Sequence, residues 1–149
     1  MPEGVARNWR EILQACNLTV LEGEPPVSAP APATAIHYVT GVEAKSAFCV
    51  EKTQPPSALI EVDRLWQTEV TELLAAPGVG EFFVLPPGGG GASAGWVRVR
   101  GAAGIPLPSR VASVTGSPEL LTLAEGGSYL CAVTEEDEEY WIFIHRLKE

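Results

Sequence analysis

Ser128-Tyr-Leu-Cys-Ala-Val-Thr134 and Tyr140-Trp-Ile-Phe-Ile-His145 are two apolar runs on either side of five consecutive acids, Glu135-Glu-Asp-Glu-Glu139. Short runs that are apolar at every position fit strands buried on both faces, and the acidic break between them fits a solvated turn. The segment therefore reads as a β-hairpin within a sheet rather than at its edge. A tight turn centred on Glu136 and Asp137 would set Cys131 opposite Ile142 and Ser128 opposite His145.

Working back from the hairpin, Ser117-Pro118-Glu119 ahead of Leu120 and Leu121 combines an N-cap, a proline at the first helical position and an early acid, which predicts a helix stopped by Gly126-Gly127. Residues Ile105 to Thr115 are interrupted by proline and are expected, if extended, at a sheet edge. The alternation of Trp96-Val-Arg-Val-Arg100 predicts a strand, as does Glu81-Phe-Phe-Val-Leu85, and the two are joined through the glycine-rich residues 86–95. Asp63 is positioned to cap a helix carrying Leu65, Trp66, Val70, Leu73 and Leu74 that ends at Pro77-Gly78, with a short strand at Ala58 to Val62 before it. Ala35 to Val42 and Lys45 to Lys52 have the composition of a further hairpin.

The tract from Glu22 to Thr34 is rich in proline and alanine and reads as an extended linker without core residues of its own. Before it, Val5, Trp9, Ile12, Leu13 and Cys16 fall on one stripe of a helix, with Asn17 as a left-handed stop. Such a stripe either docks on the protein's own sheet or is offered to a partner's groove. These elements together predict an α+β single domain over residues 1–149. It has a mostly antiparallel sheet of five to seven strands with two or three helices on one face. The N-terminal amphipathic helix occupies 1–18, the linker 22–34 and the body 35–149.

Ten Lys and Arg against nineteen Asp and Glu give a formal charge of −9, which repels polyanions and favours basic partners. Nucleic acid and membranes are accordingly not expected as partners. Cys16, Cys49 and Cys131 are odd in number, widely spaced and set in apolar segments, so they read as buried free thiols in a reducing, cytoplasmic setting. The first ten residues lack the apolar core of a signal peptide, and no run is long enough to span a bilayer.

Gly91-Ala92-Ser93-Ala94-Gly95 matches the G-x-S-x-G pattern of a nucleophile elbow. That elbow needs a buried strand before the serine and a helix after it, whereas here glycines precede it and a strand follows. Four consecutive glycines in the same loop lack the Lys-Ser/Thr and helix start of a phosphate-binding loop. His37 and His145 have no metal-ligand spacing to any cysteine, and the acidic run lacks the central glycine and alternating ligands of a calcium loop. No catalytic, cofactor-binding or metal-binding residue is assigned, and no cofactor is expected.

The resulting expectation is a non-catalytic intracellular protein that acts through protein–protein interaction, as an adaptor, an assembly subunit or an acidic inhibitor of a basic effector. Its partner-binding residues would be Val5, Trp9, Ile12 and Leu13 of the first helix and Glu135, Glu136, Asp137, Glu138 and Glu139 of the acidic turn. The alternative is a small enzyme or small-molecule-binding domain with a cleft under residues 86–95, lined by Phe82, Phe83, Trp96 and Tyr140.

Overall fold

A computed structural model describes residues 9–27, 29–40, 45–53, 57–74, 80–86, 95–101 and 105–147. Within them lie seven strands: β1 (Leu18–Val20), β2 (Phe48–Glu51), β3 (Glu81–Leu85), β4 (Val97–Gly101), β5 (Leu120–Leu123), β6 (Tyr129–Glu135) and β7 (Glu139–Arg146). Every pairing is antiparallel, in the spatial order β1-β4-β3-β5-β6-β7-β2. The described helices are α1 (Trp9–Ala15), α2 (Pro32–Thr40), α3 and α4 (Leu107–Thr115). Helix α3 is continuous through Ala58–Leu65, a π-helical turn Trp66–Val70 and a last turn Thr71–Leu74.

The α+β class and the antiparallel seven-stranded sheet agree with the sequence reading. The expected hairpin forms from β6 and β7, and both are interior strands, as their two-sided apolar character requires. Its turn is centred one residue later than the sequence suggested, with Glu136 N–H donating to the Glu139 carbonyl at 2.8 Å. Cys131 consequently faces Ile144 rather than Ile142, and Thr134 faces Trp141. Moving a hairpin centre by one residue shifts each partner by two, so every side chain keeps its face.

Two apolar layers lie against the sheet. On one face, Leu18, Phe82, Val84, Val97, Val99, Cys131, Val133 and Ile142 meet α1, α3 and α4. On the other, Phe83, Leu85, Leu121, Leu123, Leu130, Ala132 and Phe143 meet Ala35 and Val39 of α2. The layering expected from sequence had helices on one face; α2 adds cover to the second.

Helix α2 occupies residues expected to be linker and strand. Pro32 suits the first turn of a helix, where its missing N–H costs no hydrogen bond, and Ala35 and Val39 are spaced four apart so that both turn inward. The linker tract thus ends in a helical turn, and the hairpin expected from 35–42 and 45–52 does not form. The second of those runs supplies β2, which pairs with β7 instead.

Three further assignments reverse. Leu107–Thr115 is helical: Pro108 sits in its first turn, Leu107 and Val111 share the buried stripe, and Gly116 ends it at φ 95°. The Ser117-Pro118-Glu119 signal precedes strand β5, not a helix; all four β5 residues are buried between the two layers. In α3 the helix begins at Ala58 with Ser57 at the cap position, so Asp63 is internal and the predicted strand at Ala58 to Val62 is absent. Val62, Trp66, Val70 and Leu74 are all buried at four-residue steps. In a regular α-helix such steps drift by about 120° over three intervals. The π-helical turn, with Thr71 N–H bonded to the Trp66 carbonyl, takes up part of that drift and keeps the stripe on the sheet.

Helix α1 forms as its periodicity implied and stops at Asn17, whose φ is 69°. The outer strands β1 and β2 are the shortest on their respective sides of the sheet, which limits the unpaired edge presented to other chains.

Candidate functional site: an acidic end of the sheet

Antiparallel pairing brings the end of β2 beside the β6–β7 turn. Glu51 lies directly opposite Glu139, Val50 opposite Tyr140, and Lys52 N–H donates to the Glu138 carbonyl at 2.9 Å. Six acids, Glu51 and residues Glu135–Glu139, and one base, Lys52, therefore line an open concavity of about 720 Å³.

The charges divide by face. Lys52 shares a face with Glu135: Nζ lies 2.8 Å from Oε2 and 5.3 Å from the centre of the Tyr140 ring. The hydrogen bond from Lys52, followed by one from Ser117, holds the Glu135 carboxyl below its ordinary value. The same bond raises the Lys52 ammonium above its own. Glu51 and Glu139 are directly opposed on the other face, a like-charge cross-strand pair that disfavours the sheet rather than stabilising it. Glu139 accepts the Trp141 indole N–H at 2.7 Å, and Glu136 accepts the Thr134 hydroxyl at 2.8 Å. Asp137 and Glu138 stand exposed at the tip.

The remaining predicted partner-binding residues lie elsewhere. Ile12 and Leu13 are buried, Leu13 at 1 % exposure, and Trp9 packs against the same core with Arg10 stacked over its ring. Helix α1 is thus docked on its own sheet, and its apolar stripe is not a free surface. Val5 is outside the described residues.

The chemistries weighed from sequence also find their places. Residues 87–94, including Ser93, are outside the described residues. Phe82 and Tyr140 belong to one apolar layer and Phe83 and Trp96 to the other, so these four aromatics do not line a common cleft. The Trp96 indole N–H instead donates to the Pro30 carbonyl at 2.8 Å, fastening the segment that leads into α2. Arg98 and Arg100 meet the acid Glu81 across the strand pair at 2.5 and 2.8 Å. Hydrogen bonds from Arg100 and then Arg98 lower the Glu81 carboxyl.

None of the three cysteines is paired in a disulfide. Cys16 and Cys131 are buried as expected, and burial pushes the Cys131 thiol up to about 12. Cys49 departs from the expectation: it is exposed, 3.2 Å from the Ser46 hydroxyl, because β2 is an edge strand. His145 is exposed and stacks on Tyr38 at 4.4 Å between ring centres. Among the described residues no group of three or more His, Cys, Asp or Glu is placed to hold a metal ion, and no helix is long and apolar enough to cross a membrane.

The acids of the turn were legible as a run. Glu51 and Lys52 were missed, because their place at this site follows from pairing β2 with a strand at the far end of the chain. Comparison of the chain with protein-family models, curated proteins and solved structures finds no significant match.

Proposed function

We propose that this protein acts by binding another protein, and that its acidic sheet end meets a basic surface on that partner. The observation that carries the reading is the opposition of Glu51 and Glu139 beside the exposed Asp137 and Glu138. Like charges held directly across a strand pair disfavour folding, and a cationic partner relieves that repulsion on binding. The roles consistent with such a surface are an adaptor, an assembly subunit or an acidic inhibitor of a basic effector. A formal charge of −9 supports a basic protein over nucleic acid as the partner, through long-range steering. Three cysteines outside any disulfide support a reducing, cytoplasmic setting. The proposal assigns no catalytic residue and no cofactor.

The test replaces Glu135, Glu136, Glu138 and Glu139 with Gln and Asp137 with Asn in one variant, and compares its affinity capture from the native source with that of the wild type at low and high salt. The expected outcome is a basic protein retained by the wild type at low salt, released by salt, and lost from the variant. The variant's urea midpoint should stay at or slightly above that of the wild type, because relief of the Glu51–Glu139 repulsion offsets the loss of the part-buried Lys52–Glu135 pair. Capture unaffected by the substitutions at low salt would reduce the turn to a solubility device.

A further inference from the structure

Beside the acidic end, on the face covered by α2, a groove of about 430 Å³ opens between that helix and the ends of β5 and β6. Ile36 and Val39 of α2 form one wall, Leu121 and Ala132 the floor, and Glu119 and Thr134 the rim. Ile36 is 37 % exposed, an apolar side chain at the mouth of an apolar cleft. The rim is joined to the acidic end by hydrogen bonds. Glu119 Oε2 accepts the Glu135 N–H at 3.1 Å, and the Thr134 hydroxyl donates to Glu136. Groove and acids are therefore one continuous surface, with an aliphatic slot at one side and carboxylates at the other.

We propose that this groove receives the apolar side chains of a basic amphipathic segment of a partner protein, whose Lys and Arg residues lie along the acidic rim. The inference rests on the reading of the acidic end as a partner surface, and it names the partner's chemistry. Charge complementarity selects the occupant: six carboxylates and one ammonium border the adjoining concavity, so a segment that fills the slot and carries cations gains on both counts. A purely apolar segment would bring no cation to the carboxylates that Lys52 does not reach. The layering supplies a second argument. Among the described residues three helices pack on one face of the sheet and α2 on the other, so a segment laid beside α2 would extend the thinner described layer.

The experiment uses the full chain and two synthetic Leu/Lys peptides of identical composition. In one the leucines fall on a single helical stripe; in the other they are scattered. Binding is measured by fluorescence anisotropy for the wild type, Ile36→Asp, and Ile60→Asp, a control at an exposed isoleucine on α3. The striped peptide should bind about tenfold more tightly than the scattered one, and Ile36→Asp should remove about that factor while Ile60→Asp leaves it intact. Circular dichroism and urea unfolding establish that both variants are folded.

Equal binding of the two peptides, or equal effects of the two substitutions, overturns the groove. If binding then still disappears in the five-acid variant, the acidic end survives as a purely electrostatic surface. If the five-acid variant binds the peptides and captures its partner as the wild type does, both readings fall.

Discussion

Asp63 lies in the middle of α3 and does for another helix what its sequence context suggested it would do for its own. Its Oδ1 accepts the Ser109 N–H at 3.0 Å and its Oδ2 accepts the Ser109 hydroxyl, so it caps the first turn of α4 from outside. Burial raises the Asp63 carboxyl above its ordinary value, and the two bonds from Ser109 only partly oppose that rise. A carboxyl raised by folding binds its proton more tightly in the folded chain than in the unfolded one. Its contribution to stability is therefore fully present below the unfolded value of 3.8 and is lost as pH rises through the folded value. Asp63→Asn keeps an acceptor for the N–H and a donor for the hydroxyl while removing the titration. The stability of wild type relative to Asp63→Asn should accordingly decline as pH rises above 3.8, measured by urea unfolding at a series of pH values. A rise over that window would show that the Ser109 bonds outweigh burial. Asp63→Ala, which removes the cap outright, should cost about 1 kcal/mol.

At the scale of elements, α1 and α2 show how far periodicity carries. The stripe of α1 was readable because Trp9, Ile12, Leu13 and Cys16 recur at helical spacing, and the same stripe leaves open whether its face meets this chain or another. Burial of Leu13 at 1 % decides for the chain itself. Leu13→Ala should therefore cost about 2–5 kcal/mol in urea unfolding, the range for truncating a buried leucine. A cost below about 1 kcal/mol would mean that α1 does not dock in solution. Helix α2 was not readable in the same way. It contributes only Ala35 and Val39 to the interior, its surroundings are proline-rich, and Ile36, Tyr38 and Val39 resemble a strand's complement. What places it is tertiary: the apolar face made by Phe83, Leu123, Leu130 and Phe143 needs cover, and the Trp96 bond to Pro30 delivers the chain to it. Helix α4 was misread for a different reason. Its prolines interrupt a strand but are compatible with the start of a helix.

The molecule as a whole is closed by its least local contacts. Both outer strands come from the first half of the chain: β1 pairs with β4 and β2 with β7, each across more than half the sequence. The three strands between β4 and β7 in the order, together with those two, are drawn from the second half. Closing such long loops before their contacts form slows folding, so refolding followed by tryptophan fluorescence should relax over about milliseconds to seconds. Relaxation within microseconds would contradict this topology. By itself the sequence determined the α+β class, the first helix, the strands β3 and β4 on either side of the glycine-rich residues, and the hairpin with its acids. Each of these is written in the spacing of neighbouring residues. Only the tertiary structure decided that α2 covers the second face, that β2 pairs with β7, and that Glu51 opposes Glu139 to complete the acidic end. Those outcomes depend on which distant surfaces remain to be buried once the local elements have formed, and no window of sequence contains that information.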